Sequence, residues 1–158
     1  MRLFLIGFAA GLLLATPAAA ETWMEYTYPD LGFAIQFPGQ PVAQPAPVGD
    51  HVYALDQDGI SYLVRVTDVA ARYPDKDKMV DQAVAQVRSL GTVQVESRPR
   101  VDTNFGRAIV VAGRDGNRYT DVVFFIGQRL YQLRGTYVPP NPVSGYVMRF
   151  QMSFRLLR

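Results

Sequence analysis

Alternation of apolar and polar residues dominates the chain after residue 21 and predicts β-strands. Phe33, Ile35 and Phe37 occupy every second position of one short segment, which is the period of a strand with one buried face. Tight-turn sequences at 57–59 (QDG) and 115–117 (DGN) separate further segments of this kind and indicate hairpins. The predicted strands are residues 23–28, 33–37, 51–56, 60–68, 93–101, 107–114, 118–126 and 129–138.

Two segments have the helical period instead. Residues 77–90 carry apolar side chains three and four positions apart, and Gly91 suits a helix end. These apolar positions are Val80, Ala83, Val84, Val87 and Leu90. A second helix is predicted near the end of the chain from the spacing of Val143, Val147, Phe150 and Phe154. Residues 153–157 also fit a last extended segment.

These patterns predict the fold class α+β, with one antiparallel β-sheet of about six to eight strands sandwiched between two helices, an α/β/α sandwich. The run VVFFI at 122–126 is apolar on both faces, so the sheet needs cover above and below. The proline-rich residues 38–50 predict an extended loop. Residues 21–158 contain no repeat and no second boundary, which indicates a single domain.

Residues 1–20 are predicted to be a signal peptide. Arg2 precedes an apolar run at 3–15, and Ala18 and Ala20 occupy the small-residue positions that signal peptidase reads. This run is too short for an uncleaved anchor, because a membrane-spanning helix needs about 20 residues. We therefore expect cleavage after Ala20, a periplasmic or secreted protein, and no transmembrane span in the mature chain.

Composition excludes several classes of chemistry. The chain has no cysteine and one histidine, His51, which excludes a disulfide scaffold, a thiol enzyme and a zinc site built from several histidines. None of the serines lies in a G-x-S-x-G motif, so a serine triad with His51 is not supported. Asp75, Asp77 and Asp81 lack the glycine and distal glutamate of a calcium loop, and helix capping explains at least one of them. No catalytic residue, metal site or cofactor is expected.

Charge is distributed unevenly along the chain, although the net charge is only +2. Residues 21–97 contain eleven acids and five bases, whereas residues 98–158 contain three acids and ten arginines. Guanidinium groups bind carboxylate and phosphate through paired hydrogen bonds. If the arginines share one face, the expected partner is an acidic protein, an anionic lipid or an envelope polymer, not nucleic acid. Arg114 and Arg118 flank the turn at 115–117 and are the candidate contacts at a hairpin tip.

Several segments together resemble the PsbP-like superfamily, which is named for the extrinsic photosystem protein PsbP and includes a Ran-binding import factor. They are the aromatic first strand, GFAIQFPGQP at 32–41, the mid-chain helix, RLYQL at 129–133 and RFQMSFRLL at 149–157. The resemblance spans nearly all of residues 21–158 and implies an α/β/α sandwich. It also implies packing roles for Phe33, Phe37, Phe150 and Phe154, and binding or assembly functions without catalysis.

Two functions are consistent with these observations. The first is an exported, non-enzymatic binding or assembly module of the cell envelope that uses one sheet end and the proline-rich loop as its contact surface. The alternative is a small hydrolase or lyase with a site of dispersed arginine, tyrosine and aspartate residues. The first is favoured because the sequence contains no clustered nucleophile, base or metal set.

Overall fold

The structure of the protein is a computed structural model that describes residues 22–70 and 75–158. The predicted signal peptide at 1–20, including its cleavage after Ala20, lies outside these residues. No helix within the described ranges is long and apolar enough to cross a membrane.

Twelve strands, two α-helices and a 3-10 turn at Pro29–Leu31 follow one another along the described residues. The strands and α-helices are β1 (Met24–Tyr28), β2 (Phe33–Phe37), β3 (Val42–Gln44), β4 (Asp50–Gln57), β5 (Ile60–Asp68), α1 (Lys76–Arg88), β6 (Gly91–Ser97), β7 (Arg100–Val101), β8 (Asn104–Phe105), β9 (Arg107–Gly113), β10 (Arg118–Ile126), β11 (Arg129–Tyr137), α2 (Gly145–Met152) and β12 (Arg155–Leu156).

The strands form one large antiparallel sheet and two small sheets. The large sheet has seven strands in the order β3-β4-β5-β11-β10-β9-β6, so β5 pairs with β11 although five strands and a helix separate them along the chain. A three-stranded sheet has the order β1-β2-β12, and β7 pairs with β8. The number of strands in the large sheet agrees with the predicted six to eight.

One face of the large sheet packs against α2 and the three-stranded sheet. Phe150 of α2 is fully buried between Phe37 of β2 and Tyr62 of β5. The helix lies very close to the sheet at Gly135, where a Cβ atom would clash with Val147. Most of the large aromatic side chains of the domain lie in this layer, which forms the larger of two hydrophobic clusters.

The other face packs against α1. This helix begins after Asp75, whose carboxylate accepts a hydrogen bond from the backbone N–H of Lys78 at 3.0 Å. Successive side chains of a strand point to opposite faces, so Val123 and Phe125 of β10 face α1 whereas their neighbours face α2. The helix lies over β9, β10 and β6, and it leaves β5 and β4 uncovered on this face.

The structure therefore agrees with the predicted α+β class but only roughly with a sheet sandwiched between two helices. The three-stranded sheet shares the cover of one face with α2. The second helix also ends earlier than the spacing suggested, at Met152, and Phe154 is buried just beyond it. The proline-rich loop contains the short strand β3, and the predicted strand 93–101 is divided into β6 and β7.

Candidate functional site

A cleft of about 700 Å³ opens at one end of the large sheet. The proline-rich loop forms one wall with Val48 and Gly49, and the turn between β10 and β11 forms another. Backbone hydrogen bonds hold these walls in place: Asp68 donates to the Gly49 carbonyl at 2.7 Å, and Val69 donates to the Gln128 carbonyl at 2.8 Å. The lining residues are Val48, Gly49, Asp68, Val69, Ala70, Ile126, Gly127, Gln128, Arg129 and Tyr131.

Two charged side chains, Asp68 and Arg129, line this cleft, and His51 lies beside Asp68. Arg129 donates from Nε to Oδ1 of Asp68 at 2.8 Å, and Nε2 of His51 lies 3.6 Å from Oδ2 of the same carboxylate. The hydrogen bond from Arg129, with a smaller contribution from His51, holds the pKa of Asp68 below its usual value. The carboxylate is therefore ionised and shared between two basic groups.

Tyr131 forms part of the cleft floor. Its side chain is buried, and its hydroxyl donates a hydrogen bond to the Leu31 carbonyl at 2.8 Å. Burial raises the pKa of this hydroxyl above its usual value. Tyr131 therefore joins the sheet to the segment before β2, and its proton is engaged within the protein.

A second concave region lies between α1 and the uncovered strands β4, β5 and β11, and we refer to it as the groove. It consists of two cavities of about 220 and 170 Å³ that share Arg65, Gln86 and Gln132. The first is also lined by Asp50, Thr67, Met79, Gln82, Ala83 and Leu130. The second is also lined by Leu63, Leu90 and Arg134.

A buried polar network lies beside the groove. Asp121 of β10 is fully buried and receives two hydrogen bonds at 2.9 and 3.0 Å from Nε and Nη2 of Arg134. Gln132 donates a further hydrogen bond to Asp121 at 2.6 Å. Burial raises the pKa of Asp121, and the charge of Arg134 acts in the opposite direction. The sheet face under α1 therefore contains an ion pair where packing alone would favour apolar side chains.

Arg114 and Arg118 do not project together from the hairpin tip. Arg114 donates to the carbonyl of Ser89, the residue that follows α1, at 2.6 Å. Arg118 is partly buried and donates to the side chain of Gln94 on β6. Both guanidinium groups are thus bound to the protein's own polar groups, and their predicted role as partner contacts stays a prediction.

The charge division along the sequence is partly cancelled in the fold. The strand order places β5 of the acidic segment beside β11 of the basic segment, and β2 beside β12. Three arginines after residue 98 consequently pair with acids before residue 97. These pairs are Arg107–Asp81 at 3.3 Å, Arg129–Asp68 at 2.8 Å and Arg155–Glu25 at 2.6 Å.

The pKa of Asp115 reports on the hydrogen bonds within the turn between β9 and β10. Hydrogen bonds from Tyr119 and Asn117 lower the pKa of Asp115 to about 2 from a usual 3.8. Because folding lowers this pKa, the ionised Asp115 carboxylate stabilises the folded protein fully at a pH above 3.8. This stabilisation is lost as the pH falls through about 2. A carboxyl NMR titration should find this low pKa, and Tyr119→Phe should move it back up. An unchanged pKa in that variant would contradict the assigned cause.

The other sequence candidates are explained by structural contacts. Asp75 caps α1, as expected, and Asp81 pairs with Arg107. No group of three or more potential metal-ligating histidine, cysteine or carboxylate side chains occurs among the described residues. The contact between His51 and Asp68 was not anticipated from the sequence. It arises because β4 and β5 place His51 opposite Val66, two residues from Asp68.

Comparison with known proteins identifies the fold. No family model matches the sequence, and no curated protein matches it. The solution structure of cyanobacterial PsbP (CyanoP) from Synechocystis sp. PCC 6803 is similar to this chain with a TM-score of 0.62. The similarity covers 92% of this chain and 98% of that one. The fold is PsbP-like.

The PsbP-like fold confirms the resemblance drawn from the sequence segments. Sequence identity between the two chains is 11%, so the comparison describes the arrangement of the backbone and not the use of any site. The cleft and the groove must therefore be interpreted from their own residues.

Proposed function

We propose that this protein is an exported, non-enzymatic binding module of the cell envelope and that the cleft is its ligand site. The observation that carries the proposal is the position of the cleft, where the proline-rich loop meets one end of a rigid sheet. Its volume of about 700 Å³ lies within the range of small-molecule sites, about 300–1,000 Å³. Export follows from the predicted signal peptide at 1–20.

The state of the polar groups supports binding over catalysis. Asp68 is ionised and already accepts from Arg129, and the hydroxyl proton of Tyr131 is committed to the Leu31 carbonyl. Catalytic acids and bases need pKa values near the working pH. A depressed carboxyl pKa and a raised phenol pKa move both groups away from that range.

The lining also indicates the chemical character of the ligand. Ile126 and Val69 offer apolar surface, and the rim adds a guanidinium and a carboxylate that neutralise each other. Such a lining suits a ligand with an apolar body and one polar end that contacts Arg129 or Asp68. A strongly charged ligand would have to displace one member of the ion pair.

Thermal unfolding in the presence of fractionated envelope extract tests this proposal. At least one fraction should raise the melting temperature of the full-length protein by several degrees, as a ligand near 100 times its Kd stabilises by about 2.7 kcal/mol. Ile126→Trp fills the cleft and should remove the shift. Val95→Trp adds the same side chain on the exposed edge strand β6 and should keep it. Equal shifts in both variants would place the ligand elsewhere.

One observation favours the alternative of a small hydrolase or lyase. The cleft brings together one arginine, one tyrosine and one aspartate, which are the residue types that the alternative requires. Mass spectrometry of the active fraction after incubation separates the two functions. The binding proposal expects the ligand to be recovered intact, whereas consumption that Asp68→Asn abolishes would establish the enzyme.

A further inference from the structure

The groove has features that packing of α1 does not explain. On β5, buried Tyr62, Val64 and Val66 alternate with side chains that face the groove. An apolar helix face would require apolar partners there, but the groove presents Arg65 at its centre. Because α1 lies over β9, β10 and β6, this part of the sheet face is open to a ligand.

Arg65 is an exposed cation whose guanidinium has no partner among the described residues. Its side chain makes no hydrogen bond or ion pair within the described parts of the chain, although Arg65 lies in the middle of the large sheet. Its backbone is held on both sides, opposite Val52 of β4 and Gln132 of β11. The N–H groups of the guanidinium are therefore free to donate to a ligand. Because the sheet already orders the backbone of Arg65, ligand binding costs little further backbone entropy of the protein.

The surroundings of Arg65 match an extended peptide. The side-chain amide of Gln86 provides a donor and an acceptor, as a peptide backbone requires. The amide nitrogen of Gln132 already donates to Asp121, so Gln132 provides its side-chain carbonyl as an acceptor. Apolar side chains lie at both ends of the groove, with Met79 and Leu130 at one end and Leu63 and Leu90 at the other.

The two cavities follow the direction of β5 from Thr67 to Leu63. Four strand steps of about 3.3 Å give a length of about 13 Å, which accommodates about four extended residues.

The charges within the groove set the orientation of a ligand. Arg134 is a diagonal cross-strand neighbour of Arg65, because it lies opposite Leu63. Asp50 lines the cavity at the other end. Asp121 already neutralises the guanidinium of Arg134, so Arg65 supplies the attraction for a ligand carboxylate. Asp50 repels that carboxylate from its own end of the groove.

We propose that the groove binds an extended acidic peptide segment whose carboxylate pairs with Arg65 on the side away from Asp50. The glutamine amides bind the peptide backbone, and the apolar ends accept the flanking side chains. This site is separate from the cleft, so it does not depend on the function proposed above.

Selection from a random seven-residue peptide library displayed on phage, with the full chain as bait, tests the proposal. Selected peptides should contain aspartate or glutamate between apolar residues. Loss of a charge-assisted hydrogen bond should weaken them about ten- to a hundredfold in Arg65→Gln, as measured by fluorescence anisotropy. Arg98→Gln removes the same charge at another exposed arginine and should leave the affinity unchanged. Asp50→Asn should bind equally or more tightly.

Three results would overturn the proposal. Peptides that bind Arg65→Gln as tightly as the unaltered chain would place their site outside the groove. Full competition by free glutamate would show that a carboxylate alone is recognised, and full competition by phosphatidylglycerol vesicles would indicate a lipid surface. Ile126→Trp changes the cleft and not the groove, so this variant should bind the peptides as tightly as the unaltered chain. The peptide test therefore stands whether or not the cleft binds a ligand.

Discussion

Replacing Phe150 by alanine should lower the free energy of unfolding by about 3–5 kcal/mol, a large part of the stability of a domain of this size. The side chain is completely buried, and its ring centroid lies 5.0 Å from Phe37 and 5.4 Å from Tyr62. It therefore joins α2, β2 and β5 in one layer. Gly135 allows the helix so close an approach that the remaining cavity has little room to collapse.

Chemical denaturation monitored by far-UV circular dichroism measures this loss directly. Met148→Ala is the matched control, because Met148 lies on the same helix and is 65% exposed. Its unfolding free energy should change by about 0.5 kcal/mol or less. Equal midpoints for Phe150→Ala and the unaltered chain would show that α2 is not part of the core.

Sequence periodicity predicted the central strands well. The bounds of β2, β5 and β10 agree residue for residue with the predicted segments 33–37, 60–68 and 118–126. Each of these strands combines regular alternation or a continuous apolar run with a turn sequence at one end or both. These sequence features all lie within or next to the strand itself, so the bounds of each strand can be predicted without knowing which strands it pairs with.

The pairing of the three-stranded sheet was not predictable, because its last strand depends on distant partners, although the alternative of an extended segment at 153–157 contains β12. Arg155 and Leu156 pair with Ala34 and Phe33, and two residues are too few to show a period. The spacing from Val143 to Phe154 instead fitted a continuous helix. In the structure the Ser153 hydroxyl accepts a hydrogen bond from the backbone N–H of Gln36 at 2.9 Å, which attaches the end of α2 to β2.

The cleft and the groove both depend on the strand order. Alternation along β5 already placed Arg65 on the polar face of its strand, opposite to Val64 and Val66. Its neighbours could not be inferred, because β11 pairs with β5 only after the intervening strands are placed elsewhere in the sheet. The proline-rich loop and sheet end were expected to form a contact surface, but the ion pair there was not.

The buried pair of Asp121 and Arg134 leads to the second large effect. Arg134→Met should destabilise the protein by about 3–5 kcal/mol near neutral pH, because among the described residues it leaves the fully buried carboxylate with Gln132 alone as a side-chain partner. Arg107→Met breaks the exposed pair with Asp81 and should cost about 1 kcal/mol or less. The comparison separates the effect of burial from that of losing an arginine.

The pH dependence of the Arg134→Met variant identifies the buried charge as the cause. Burial already raises the pKa of Asp121, and removal of the guanidinium should raise it further. A carboxyl whose pKa is raised on folding stabilises the protein below its unfolded pKa, and this contribution is lost as the pH rises through the folded pKa. The deficit should therefore be smaller near pH 4 than near pH 7, and Asp121→Asn in the same chain should recover much of it. A deficit independent of pH, or no recovery in the double variant, would mean that lost packing of the Arg134 side chain dominates instead.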